Sequence, residues 1–221
     1  MVKNALILLS GGLDSLVSLG LVRKNYGSVL ALTFDYGQRS AQYEIDASKK
    51  IAEYYKIHHQ VVSLDWLKDI TTTALVNDNI DVPTKIYDYN ESMKSVWVPN
   101  RNGLFLNIAG CFADAEGYSD IIIGANKEEG ETFSDNTQEF IDRVNAEFEY
   151  STLKKPKVIA PLINYSKNDI VREALANKIP LELVKSCYIG GDKHCGKCES
   201  CQRLKHALQY NGADEYLKIL F

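Results

Sequence analysis

Apolar residues in this 221-residue chain fall into short unbroken runs, separated by longer stretches in which they recur every three or four positions. Runs such as Ala5-Leu6-Ile7-Leu8-Leu9 are too short for helices and lack the alternation of a strand with one wet face, so they read as strands buried on both sides. Strands are expected over residues 5–9, 28–34, 58–64, 120–124 and 157–160. Helical spacing fills the intervals at 14–25, 41–55, 103–116 and 136–148. A further helix follows Ser166-Lys167-Asn168-Asp169, whose serine and aspartate have capping-box spacing, and another covers 199–210. This alternation predicts an α/β fold: a Rossmann-like, doubly wound parallel sheet of five strands in the order 3-2-1-4-5. Residues 1–165 would form that unit and 166–221 a C-terminal helical appendage. Residues 65–98 break the pattern with weak periodicity around Trp66, Pro83, Tyr87, Tyr89 and Trp97. A connection of that length in a compact domain is usually functional, so it reads as a substrate lid or a subunit contact.

The first strand runs into Ser10-Gly11-Gly12-Leu13-Asp14-Ser15, and Leu13, Leu16, Val17, Leu19, Leu21 and Val22 continue at helical spacing. Two glycines let backbone approach an anion, Ser10 and Ser15 add hydroxyls, and the helix start offers N–H groups without intrahelical partners. Asp14 does not suit a phosphate directly; it suits Mg²⁺, or the loop's own amides. No Gly-Lys-Ser/Thr follows, so this is not the P-loop that cradles a transferable γ-phosphate.

A second signal is Cys187-x7-Cys195-x2-Cys198-x2-Cys201, four of the five cysteines. Two overlapping C-x2-C hooks and an upstream thiol can close a tetrahedral all-sulfur site, with Gly190, Gly191 and Gly196 supplying turns. The spacing also opens a ferredoxin-type run, but the upstream fourth cysteine and the missing Cys-Pro favour structural Zn²⁺ over an iron–sulfur cluster. Cys111, among Ile108, Ala109, Phe112 and Ala113, reads as a packed core thiol. The adjacent His58 and His59 point to opposite faces of a strand and do not pair as metal ligands.

A net charge of −4 argues against a broad nucleic-acid footprint, and the apolar run at 5–9 is too short for a signal peptide or membrane span, so a cytoplasmic enzyme is expected. Three lesser motifs fall at strand exits or helix entries: Phe34-Asp35-Tyr36-Gly37-Gln38-Arg39, Pro99-Asn100-Arg101-Asn102 and Gly124-Ala125-Asn126-Lys127. The carboxyl edge of a doubly wound sheet is where ligands bind. Arg101 is a candidate for a phosphate and Lys127 for the α-phosphate or a leaving oxygen. Thr132, Asp135 and Asn136 are polar positions in the stretch that follows, and Asp135 is placed to cap the next helix.

Taken in order, SGGLDS, FDYGQR, PNRN, GANKEEG, Ala160-Pro161-Leu162 and SCYIGGDKHCGKCESC resemble the 7-cyano-7-deazaguanine synthases, the QueC family of ATP pyrophosphatases (PP-loop enzymes), from about residue 4 to 210. The stretch from Lys127 to Thr137 is similar to the archaeal branch. The resemblance implies ATP, Mg²⁺ and a structural zinc on Cys187, Cys195, Cys198 and Cys201. It implies conversion of 7-carboxy-7-deazaguanine and ammonia to the nitrile through an acyl-adenylate and an amide, releasing AMP and pyrophosphate, for queuosine or archaeosine synthesis. Leu8 to Ser18 would hold ATP, with Phe34, Gln38, Arg39 and Gly124 beside them. Tyr36, Asn126, Thr132 and Asp135 would meet the deazaguanine, and Asp14, Arg101 and Lys127 would serve catalysis. A homodimer without direct nucleic-acid binding is expected. A tRNA-thiolating enzyme sharing the pyrophosphate loop is the rival reading, against which stands the lack of a basic extension.

Overall fold

The computed structural model describes residues 3–77, 79–84 and 95–221. Five parallel strands, β1 (Asn4–Leu8), β2 (Ser28–Asp35), β3 (His58–Ser63), β4 (Asp120–Ile122) and β5 (Lys157–Ile159), form one sheet in the order β3-β2-β1-β4-β5. β1 is central, with Ala5 registered against Val29 on one side and Asp120 on the other. Its side chains show why the run carries no polar alternation. Ala5, Ile7 and Leu9 enter one hydrophobic cluster, whereas Leu6 and Leu8 enter another, so both faces are covered.

The first cluster lies under α1 (Leu13–Val22) and the C-terminal helices α7 (Lys167–Ala176), α8 (Glu199–Tyr210) and α9 (Asp214–Leu220), through residues such as Leu16, Ile170, Leu208 and Leu220. α2 (Ala41–Tyr55) contributes Ile51 to the same side. The second cluster lies under α4 (Arg101–Glu116) and α6 (Gln138–Ser151) and is centred on Leu106, Ile121 and Phe148. Gly110 on α4 makes room there, since a Cβ at that position would lie 2.8 Å from Phe148 Cζ. The helices after residue 166 thus share a core with the strands rather than packing a core of their own. Two short helices, α3 (Asp65–Asp69) and α5 (Lys127–Gly130), sit in connections.

Strand and helix boundaries depart from the sequence reading by a few residues. α1 stops at Val22 and tightens into a 3₁₀ turn at Arg23–Asn25. α4 begins at Arg101 because Asn100 takes a left-handed φ of 51° as its N-cap. α6 begins at Gln138, capped by the Thr137 side chain, which accepts from Phe140 N at 3.3 Å, so Asp135 is not its cap. Cys111 is exposed, contrary to the packed position expected of it, because 107, 111 and 115 form the outward stripe of α4. Of residues 65–98, the tyrosines 87 and 89 lie outside the described residues; Trp66 is half exposed, while Leu75 and 96–98 turn inward. Among the described residues, no helix is long and apolar enough to cross a membrane.

Ile121 lies in β4, beside the central strand, with no exposed surface. Ile121→Ala should lower unfolding free energy by about 2–5 kcal/mol, from lost burial and a residual cavity. Val61→Thr on the exposed edge strand β3 should stay within about 0.5 kcal/mol. Urea unfolding of both variants checks the contrast.

Candidate active site at the carboxyl edge of the sheet

A cavity of about 300 Å³ opens at the carboxyl ends of β1, β2 and β4. Its floor is the turn from β1 into α1. Gly11 takes a φ of 76°, and a Cβ on it would lie 2.9 Å from Ala47 Cβ and 3.0 Å from the Glu44 carbonyl oxygen. Gly124, leaving β4, is equally confined, because its Cβ would sit 2.9 Å from Ser15 N. Backbone therefore packs on backbone at this point, and α1 presents its N-terminus to the cavity. The serines tie the turn together: Gly12 N donates to Ser10 Oγ (3.3 Å), Ser10 N donates to Ser15 Oγ (3.3 Å), and Ser15 Oγ donates to the Gly12 carbonyl (3.1 Å).

One wall is charged. Lys167, at the start of α7, directs Nζ between Asp14 Oδ2 (2.6 Å) and Glu129 Oε1 (2.7 Å). Burial pushes the Asp14 carboxyl up to about 6, with Lys167 opposing and Glu129 and Glu128 assisting. Burial disfavours the Lys167 ammonium, but the two carboxylates outweigh it and raise its pKa; Glu129 is lowered, because Lys167 outweighs its own burial. Glu128 accepts from Lys167 N (2.7 Å) and from Arg203 Nη1 (3.2 Å), and Arg203 also holds Glu199. Asp14 Oδ1 is buried without a hydrogen-bond partner among the described residues. An orphaned carboxylate oxygen in an anion site fits a divalent cation.

The opposite wall is aromatic. Phe34 stacks on Phe105 with centroids 4.1 Å apart, and Trp97 lies near-parallel to Phe133 at 6.0 Å. Arg101 reaches the Tyr36 hydroxyl at 3.3 Å and, among the described residues, pairs with no carboxylate. Burial opposes its charge, but Tyr36, Asp135 and Glu129 outweigh that and keep its pKa raised. Asp135 also faces the cavity, its pKa raised by burial against Arg101, and Thr132 Oγ1 there has no partner among the described residues. A site with a glycine–serine turn at a helix N-terminus, a carboxylate–lysine pair and an arginine that forms no ion pair among the described residues, beside flat aromatic surfaces, suits a nucleotide and a planar anionic second ligand.

The sulfurs of Cys187, Cys195, Cys198 and Cys201 lie within 4.8 Å of one another. The Cys195–Cys201 separation is 3.8 Å, the edge of a tetrahedron whose centre is ~2.3 Å from each sulfur, the Zn–S distance. Cys195 Sγ accepts from the N–H groups of Lys197 and Cys198 (3.4 and 3.3 Å). Hydrogen bonds from Cys198 and Cys201 lower the Cys187 thiol, whereas Cys187 pushes Cys198 up to about 12 and raises Cys201 as well. Four thiols of this arrangement fit a metal ion whose charge would let all of them ionise.

The family model described as "Queuosine biosynthesis protein QueC" matches residues 4–212. The chain belongs to the QueC family. Its curated relatives include proteins named 7-cyano-7-deazaguanine synthase. That of Carboxydothermus hydrogenoformans is 49% identical over 93% of this chain and 98% of its own length, and that of Methanosarcina barkeri 43% identical over 97% of each. Among solved structures, the NH3-dependent NAD synthetase of Campylobacter jejuni superposes with a TM-score of 0.52 at 13% identity, covering all of this chain and 80% of its own. A 4-thiouridine synthetase in complex with RNA and ATP superposes at 0.53 and 17% identity, covering 98% of this chain and 52% of its own. Both likenesses concern the fold.

In this QueC-family chain, most of the residues singled out from sequence meet at the cavity: Leu8, Ser10, Gly12, Leu13, Asp14, Ser15, Phe34, Tyr36, Arg101, Gly124, Thr132 and Asp135 line it. Others do not line it: Leu16, Val17 and Ser18 are buried within α1. Gly11 lies behind the turn it bends. Gln38 is buried in its own loop, donating to the Phe34 carbonyl and accepting from Tyr36 N, and Arg39 donates to the carbonyls of Ala74 and Ile80. Asn126 caps α5 by accepting from Glu129 N at 3.1 Å. Lys127, first residue of α5, is exposed. The cation found at the glycine–serine turn is Lys167, which the sequence reading takes only as part of a capping box. The box is present, with Ser166 Oγ accepting from Asp169 N. The signal was available, since Lys167 opens the helix after β5 at the same sheet edge that drew attention to Lys127. Glu128, Glu129, Ser186 and Tyr188 line the cavity too, inside GANKEEG and SCYIGGDKHCGKCESC, where the sequence reading gives them no role, and so does Arg203, which lies in no motif.

The raised Asp14 pKa has a consequence for stability. A carboxyl that titrates near 6 in the fold and ~3.9 unfolded holds its proton more tightly when folded, so it penalises folding as pH rises through that window. Asp14→Asn removes the penalty. Relative to wild type, the variant should gain about 2 kcal/mol between pH 4 and pH 7. Urea titrations at the two pH values measure this, and a pH-independent difference would refute it.

Proposed function

We propose that this protein is an ATP-dependent 7-cyano-7-deazaguanine synthase, an enzyme that makes a nitrile from 7-carboxy-7-deazaguanine and ammonia. The observation that carries the reading is a cavity in which a glycine–serine turn at a helix N-terminus faces an arginine with no carboxylate partner among the described residues. Relatives of that name over nearly the whole chain support it.

A carboxylate has no adequate leaving group for ammonia. Its oxygen attacks the α-phosphorus of ATP, the bond to the β,γ-pyrophosphate breaks, and an acyl-adenylate forms. Ammonia adds to the acyl carbon, AMP departs with the C–O bond, and loss of a proton leaves the amide. A second ATP adenylates the amide oxygen, and loss of AMP and the remaining N–H protons gives the nitrile. The α1 N-terminus with Ser10 and Ser15 would receive the departing pyrophosphate, and Lys167 would meet charge developing at the α-phosphate. Arg101 would bind the substrate carboxylate or a phosphate with its planar donors, while Phe105, Trp97 and Phe133 cover the ring. Asp135 and Thr132 supply an acceptor and a hydroxyl for ring N–H and carbonyl groups. Mg²⁺, when bound at Asp14, would offset pyrophosphate charge. Zn²⁺ on the four cysteines would be structural, since thiols fill every position. Residues 1–165 then supply the α/β sheet and most of the cavity, and 166–221 supply the zinc site together with Lys167. A cytoplasmic homodimer drawing ammonia from solution or a separate protein completes the proposal.

Mass spectrometry of product from ATP, ammonium and 7-carboxy-7-deazaguanine tests the reaction, with the nitrile expected and no product refuting it. Asp14→Ala should abolish pyrophosphate release. Lys167→Met should lower kcat by about a hundredfold or more, whereas Lys127→Ala should stay within about twofold.

The metal assignment has its own measurement. Elemental analysis should find about one zinc per chain in a colourless protein. Cys198→Ser or a strong chelator should lower Tm, and visible charge-transfer absorption would indicate an iron–sulfur cluster instead.

A further inference from the structure

The turn into α1 is also held from outside, by the arm that leads to the cysteines. Lys185 donates its backbone N–H to the Gly11 carbonyl at 2.8 Å, and Ser186 Oγ accepts from Leu13 N at 3.3 Å. Leu13 is the first residue of α1, and the helix has no side-chain cap of its own, so a serine 173 positions away fills that place. With its oxygen accepting from Leu13, the Ser186 hydroxyl has its proton left for another acceptor. Ser186 lines the cavity, and its Oγ would lie 3.8 Å from a Cβ on Gly12, against the anion turn.

Ser186 is itself aimed. Its backbone N–H donates to His194 Nε2 at 3.0 Å, and His194 Nδ1 lies 3.1 Å from the Leu220 carbonyl oxygen. A backbone N–H can only donate and a carbonyl can only accept, so Nε2 is the acceptor and Nδ1 carries the proton. The ring is 5% exposed and leans on Phe221, with centroids 5.0 Å apart. Two main-chain groups use both of its nitrogens, which leaves the imidazole no reach toward a ligand.

We infer that Ser186 is a further hydroxyl donor to the pyrophosphate of ATP and that His194 is its positioning residue, a buried strut between the last helix and the anion turn. The inference rests on the nucleotide reading of the cavity. With both groups in place the hydroxyl is oriented before the ligand arrives; without His194 the 185–187 segment loses the acceptor that fixes it.

Calorimetric titration of inorganic pyrophosphate and of ATP, each with Mg²⁺, into wild type, Ser186→Ala, His194→Leu and His194→Gln tests this. Ser186→Ala and His194→Leu should each weaken pyrophosphate about tenfold, the loss of a hydrogen bond to a charged group. In steady-state assays they should raise KM for ATP with little change in KM for the carboxylate substrate. His194→Gln, whose amide oxygen can accept from Ser186 N, should recover most of the affinity, and the double variant Ser186→Ala/His194→Leu should be no weaker than Ser186→Ala alone. Metal content should be unchanged throughout. Unaltered pyrophosphate affinity in Ser186→Ala overturns the inference, and does so whether or not His194→Leu folds. Additive losses in the double variant, or failure of His194→Gln to recover affinity, overturn the role of His194. Wild-type protein that binds neither pyrophosphate nor ATP overturns the nucleotide reading and this inference with it.

Discussion

A helix that starts beneath a ligand site has donors it cannot satisfy itself, and the architecture around α1 follows from that constraint. Gly12 provides no capping side chain, and Gly11 can neither carry a Cβ nor adopt its φ cheaply as any other residue. The same bareness that leaves room at the cavity gives Gly11 and Gly12 no side chains with which to hold the turn. It is held instead by the hydroxyls of Ser10 and Ser15, by close approach of Gly124 from β4, and by the Lys185 N–H and the Ser186 hydroxyl from much later in the chain. The central place of β1 in the sheet makes this convergence possible, because neighbours on both sides bring their loops to the same edge.

The charged wall carries the opposite kind of tension. Asp14, Glu128, Glu129 and Glu199 share two cations, Lys167 and Arg203, in a partly buried network. Such a network is weak evidence for stability, since desolvation offsets much of the attraction. The Asp14 carboxyl, raised to about 6, marks where the balance is unfavourable, and its second oxygen has no partner among the described residues. Strain of that sort at a cavity wall is consistent with a group kept for a ligand rather than for folding.

The sheet was legible in the sequence because burial on both faces leaves unbroken apolar runs and the handedness of parallel connections permits few strand orders. The cysteine cluster was legible because close spacing confines its members whatever the fold does between them. Side-chain direction was not. Lys127 and Lys167 both open helices at the same edge, yet the first is exposed and the second buried against Asp14. Gln38 and Arg39 sit in a loop beside the cavity and turn into the loop itself. Cys111 was misread because an apolar helix still keeps one outward stripe. Ser186 and His194 gave no signal, since their partners lie far away in sequence or belong to the backbone.

The shared core also sets an order of assembly. The cluster under α1 draws on Ala5 and Leu16 at one end of the chain and on Leu208 and Leu220 at the other. Synthesis proceeds from the N-terminus, so the first motif to emerge is among the last to gain its neighbours. Until the final helix is made, β1 and α1 expose the apolar face that α7, α8 and α9 later cover, and His194 lacks the Leu220 carbonyl that anchors it. A growing chain of this sequence therefore holds the glycine–serine turn early but gains its cover and the His194 anchor only once residues 214–221 have been made, which ties the support of that turn to a segment some two hundred positions away.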